Sequence, residues 1–172
     1  MRGAGRAERG EVARMVFQFF QWVESTRAHE VISSSNWMFA VIESIHLLAL
    51  AVIGGAVLML DLRFLGFGLR RQPIPEVARE AQPWLVCSWV VMIVTGIALF
   101  VSEPTKLYYS VPFWWKMTFL ALATTFTFTV RRKVGQAQEG RIRPLYYKLV
   151  AVVSLLLWFG VGAGGRWIGF SG

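Results

Sequence analysis

A chain of 172 residues that is 55% hydrophobic and 16% charged, with a mean hydropathy of +0.50, carries more apolar surface than one water-soluble core of that size can hide. The net charge of +8 sits mostly between apolar runs, which points to anionic lipid headgroups and away from nucleic acid. A single Cys87 excludes an internal disulfide and any cysteine-rich metal site, and no nucleotide loop, nucleophile triad or zinc signature is present.

Residues 1–14 form a basic tail, with Arg2, Arg6, Arg9 and Arg14. Translation from Met15 would remove all four, so the tail is read as a segment that need not be translated. No cleavable signal peptide is visible, because the stretch that follows is amphipathic and lacks a uniform apolar core. Val12, Met15, Val16, Phe19, Phe20 and Val23 recur at helical spacing, with Glu11, Gln18 and Gln21 opposite. That pattern predicts a helix lying in the membrane interface. Ser33 to Asn36 then make a polar turn able to cap what comes next.

Residues 15–172 read as a single membrane domain. A helix rising 1.5 Å per residue needs about 20 apolar residues to cross the hydrocarbon. Four stretches qualify: about 37–60, 84–101, 111–130 and 147–167. Asp61 and Arg63 close the first; Gln82 and Pro83 open the second, which ends at Glu103 and Pro104. Arg131, Arg132 and Lys133 end the third, and Pro144 precedes the fourth. Trp37, Trp84, Trp114, Trp115, Tyr146, Tyr147 and Trp167 mark span ends, where amphipathic rings favour the headgroup region. Lipid permits only helices or closed barrels, so the expectation is an all-α, four-helix bundle with an interfacial N-terminal helix.

Arginines and lysines near spans mark the cytoplasmic side. The loop between spans one and two holds Arg63, Arg70, Arg71 and Arg79; the loop between three and four holds Arg131, Arg132, Lys133, Arg141 and Arg143; the loop between two and three holds only Lys106. Both termini are therefore expected outside. Gly54, Gly55, Gly96, Gly160, Gly162, Gly164 and Gly165 are read as close-packing positions, within the bundle or against another subunit. Thr124, Thr125, Thr127 and Thr129 can bond back to their own helix carbonyls and need not line a pore.

Ionisable groups inside spans are costly, so they are functional candidates. Glu43 and His46 sit three residues apart on the first span, about 9 and 13 Å from its outer end. With the termini outside, Lys116 on the third span, Arg166 at the end of the fourth and Glu103 at the end of the second lie on the same side. The expectation is an outer-half polar pocket of Glu43, His46, Lys116, Arg166 and Glu103. A quinone suits it, needing an apolar slot and one or two hydrogen-bonding groups. A haem centre on His46 with a methionine such as Met92, or a copper centre on His46 with methionines, competes, although the second histidine, His29, lies outside the spans. A di-iron site is excluded, because no second E-x-x-H helix exists. Proton or solute transport through Glu43 and His46 is a third option.

Trp37, Glu43 with His46, Asp61-Leu62-Arg63 with Leu65-Gly66, Pro83-Trp84, Thr95-Gly96, Phe113 with Lys116, and Ser154, Trp158 and Gly165-Arg166 together resemble an uncharacterised bacterial inner-membrane family of four-span proteins carrying a domain of unknown function. The resemblance covers about residues 16–170, and it implies a fold and a location without an assigned reaction. At the end of the third span, Phe126 and Arg131 stand where the resemblance implies an asparagine and a histidine. A looser likeness links the chain to the membrane domain of copper-resistance proteins. The reading is of a non-enzymatic inner-membrane module working with partner subunits.

Overall fold

Ser35, in extended backbone, accepts the Met38 N–H at 3.4 Å and so starts the first long helix. In the computed structural model, which describes residues 4–67, 71–137 and 143–170, this helix, α3, runs over Asn36–Leu65. Arg2, Arg70 and Arg141 lie outside the described residues. Gly66 ends α3 with φ 83°: its N–H meets the Arg63 carbonyl, and the Phe67 N–H reaches back to Leu62 at 3.0 Å. A side chain is disfavoured in that left-handed conformation, which accounts for the glycine.

The second long helix, α4, covers Ile74–Ser102 and is launched by Pro73 and Pro75 in positions that need no amide donor. It passes through Pro83, which was expected to precede the span. The reason is the buried stripe Ile74, Val77, Ala81, Leu85, Ser88, Met92 and Thr95, which keeps steps of three and four on both sides of the proline. Packing along that stripe offsets the lost N–H bond.

The third rod joins α6, Val111–Phe126, to α7, Arg132–Gln136, through a single π-helical turn at Thr127–Arg131. Here too the helix continues past the residues that close the apolar run. The last long helix, α8, spans Pro144–Phe170. Three helices, over Trp37–Leu65, Ile74–Ser102 and Pro144–Phe170, are each long and apolar enough to cross a membrane. Among the described residues there is no strand, so the chain is an all-α membrane-type bundle.

Within the bundle, α3 packs between α4 and α8, and α8 also packs along α6. One core gathers Ile53, Val57, Met92, Ala123, Trp158 and Val161; a second, toward the other end, gathers Leu60, Phe64, Val77, Val134, Tyr147 and Val150. The α6–α8 seam is tight. A Cβ on Gly160 would stand 2.1 Å from the Phe119 ring, and one on Gly164 would stand 3.1 Å from Lys116 and Trp115. At Gly54, Gly55 and Gly162 nothing among the described residues comes within 4 Å of a Cβ, so these glycines do not pack within the bundle as Gly160 and Gly164 do. Cys87 is exposed.

The N-terminal segment folds back over one end of the bundle. Helices α1, Ala4–Glu24, and α2, Arg27–Ser33, meet the short α5, Pro104–Tyr108, and the end of α4. Phe20 is buried among Phe100, Tyr108, Phe113 and Trp114, with ring centroids 5.0–6.4 Å apart. Glu24 accepts the Thr105 hydroxyl, and His29 Nδ1 lies 2.9 Å from the Val101 carbonyl. The apolar stripe of α1 is thus divided: Phe20 and Val23 face the protein, while Val12, Met15, Phe19 and Trp22 stay exposed.

Candidate functional site

Three helices meet at one imidazole, and a fourth packs on the lysine that reaches it. His46 lies in the middle of an apolar helix and is 6% exposed. Its Nδ1 is 3.0 Å from Thr95 Oγ1 on α4, and the Thr95 hydroxyl donates to the Val91 carbonyl at 2.7 Å. The ring rests on Gly96, where a Cβ would approach Cε1 to 3.3 Å. Thr95 therefore holds the ring while Gly96 makes room for it.

From the opposite side comes Lys116. Its stem crosses α8 at Gly164 and Gly165, where any side chain would meet it at 3.1–3.8 Å, and Nζ ends 3.3 Å from His46 Nε2. With Lys116 as an ammonium, which has three donors and no lone pair, Nε2 is the acceptor. The ring then carries its proton on Nδ1 and gives it to Thr95. The result is a directed chain from Lys116 through His46 and Thr95 to the Val91 carbonyl. Trp115 and Phe119 stack at 4.7 Å on the same helix as Lys116.

Of the five residues read as one pocket, the structure brings together His46 and Lys116. Glu43 is exposed, and among the described residues no hydrogen bond or ion pair joins it to His46. Glu103 is exposed and pairs with Lys106 at 3.2 Å. Arg166 is exposed too, its guanidinium 4.4 Å above the Phe170 ring. Two of these side chains thus have partners in their own neighbourhood.

A second polar cluster was read as span boundaries. Asp61 is fully buried, and its Oδ1 accepts Arg131 Nε at 3.0 Å; Arg131 Nη2 also reaches the Val57 carbonyl at 2.9 Å and the Ala56 carbonyl at 3.4 Å. Ser154 of α8 lies beside Asp61. The π turn carries both Arg131 and Thr127, and Thr127 accepts Trp158 Nε1 at 3.0 Å. Such turns widen a helix by one residue and re-aim the side chains within it. The sequence held a signal for this: an aspartate in the last turn of a helix opposes the helix dipole and calls for a cation. Arg131, the residue that departs from the expected histidine, supplies it.

The remaining threonines bond locally or to tryptophans. Thr129 returns to the Thr125 carbonyl at 2.5 Å, and Thr124 accepts Trp89 Nε1 at 3.2 Å. Among the described residues no three His, Cys, Asp or Glu side chains come together as a metal cluster. His29, engaged with Val101, does not approach His46, so the residues present do not fit a bis-histidine haem.

Comparison with known proteins returned no match among curated proteins or solved structures. A family model does match, over residues 19–171, nearly the whole described bundle. The chain belongs to the family of unknown function DUF6644, in keeping with the expected domain of unknown function.

Proposed function

We propose that this chain is a non-catalytic module of the bacterial inner membrane, crossing it four times with both termini outside, and that its working site is the Lys116–His46 pair. The proposed ligand is quinone-like, an apolar ring bearing carbonyl oxygens. One observation carries the reading. Lys116 spends one of its three N–H donors on His46 and, among the described residues, no other acceptor claims the remaining two. Lys116 is half-buried on the helix that carries the stacked Trp115 and Phe119, a setting that suits a carbonyl attached to a flat apolar body. The open face at Gly54 and Gly55 supports close approach by a helix of a partner subunit.

Extraction in mild detergent, followed by chromatography of co-purifying lipophilic molecules, tests the proposal. Bound quinone is expected in stoichiometric amounts and is expected to fall at least tenfold in Lys116→Met, the loss of one charge-assisted hydrogen bond of about 1.5–3 kcal/mol. Quinone content equal to that of an unrelated membrane protein sinks the reading. A reducible haem absorption band lost in His46→Ala transfers the site to the haem alternative, and pH-dependent flux in liposomes transfers it to transport.

A further inference from the structure

The geometry points to a binding groove for an anionic phospholipid between α4 and the α6–α7 rod, at the end of the bundle opposite α1. These two rods meet through Trp89, which stands 5.7 Å from the Phe128 ring, and through α7. Between those contacts opens a groove of about 780 Å³. Its wall is apolar, with Leu85 and Val86 on one side and Phe128 on the other. Arg131 closes its floor, already neutralised by Asp61.

The rim is charged. Arg79 and Arg132 are exposed on opposite sides, one from each rod, and among the described residues neither makes an ion pair. Glu76 is the acidic group on the rim, so two guanidinium groups face one carboxylate, leaving a single positive charge in excess. Pro83 lines the same groove and has no amide proton, which deprives the Arg79 carbonyl of its helical partner. An apolar slot under a rim of excess positive charge matches an acyl chain beneath a phosphate. Guanidinium forks suit phosphate oxygens, and basic clefts between helices at the cytoplasmic side are the sequence-independent way a membrane protein holds an acidic lipid. Arg63, Arg71, Lys133 and Arg143 give this whole end the charge expected of one facing an anionic leaflet. The site is separate from Lys116 and His46 and stands without the quinone proposal.

Native mass spectrometry of the full chain, released from mixed micelles with equal phosphatidylglycerol and phosphatidylcholine of matched acyl chains, tests it. Phosphatidylglycerol is expected to stay bound preferentially, and the double variant R79Q/R132Q to lower its retention about thirtyfold, near fivefold per arginine. R143Q/K148Q, at the same end but off the groove, is expected to leave retention unchanged. Val86→Trp fills the slot with both arginines intact and is expected to lower retention as well, which guards against a double variant that fails to fold. Equal retention of the two lipids overturns the proposal. So does an R143Q/K148Q loss as large as that of R79Q/R132Q, which reports diffuse charge, or displacement by millimolar inorganic phosphate, which reports a bare-anion site.

Discussion

Asp61 and Arg131 show how much one residue can hold in a medium without water. Their side chains are 0% and 5% exposed, and each is the other's only charged partner among the described residues. Removing one leaves the other buried and uncompensated, a loss of about 3–5 kcal/mol, whereas replacing both by apolar groups of similar volume is close to neutral. Asp61→Leu is accordingly expected to lower the thermal midpoint sharply in detergent, with Asp61→Leu/Arg131→Met recovering most of it; a double variant no more stable than the singles refutes the pairing. Hydropathy alone read both residues as the ends of spans, because a charge after twenty apolar residues is normally where the chain meets water. The ring and ammonium of His46 and Lys116 were legible as candidates, since both interrupt apolar runs. That they share one site was part of the expected pocket; which of its five members would meet was not legible, because the contact depends on helix rotation, and Glu43, only 60° around from His46 by helical geometry, points elsewhere.

At the scale of elements, the glycines separate into two kinds that sequence cannot tell apart. Gly160 and Gly164 let α6 lie against α8, with the Phe119 ring filling the place of the absent Cβ, and Phe119 is itself held by its stack on Trp115. Gly54 faces open space. Gly160→Ala is therefore expected to destabilise by about 1–3 kcal/mol through overpacking, while Gly54→Ala stays within about 0.5 kcal/mol, both read from thermal unfolding in the same detergent. Equal effects would falsify the seam. The elements themselves were mostly legible: the four long apolar runs are four helical rods. Their ends were not. Pro83 and the Arg131–Lys133 run are local stop signals, and packing overrode them: Ile74 and Val77 before the proline and Val134 beyond the basic run bury against the same core.

For the whole molecule, four rods in succession return the chain to the face it left. Ser34 in the turn before α3 and Arg143 before α8 then lie at opposite ends of the bundle, and both are exposed. In a Cys87→Ser background, a membrane-impermeant maleimide is expected to label S34C in intact spheroplasts and R143C only after lysis. Labelling of both before lysis removes the proposed topology. The N-terminal helix was legible as amphipathic, but its seat was not, because Phe20 docks on rings from α4, α5 and α6 that only the tertiary fold brings together.

That seat sets an order in time. Phe20 leaves the ribosome long before Phe100, Tyr108 and Phe113, the rings that receive it, have been made. At about 5–20 residues per second, the leading helix waits roughly 5–20 seconds with nothing to dock on. Through that interval the helix carries both flanks uncovered, and Met15, Phe19 and Trp22 remain so once Phe20 is seated.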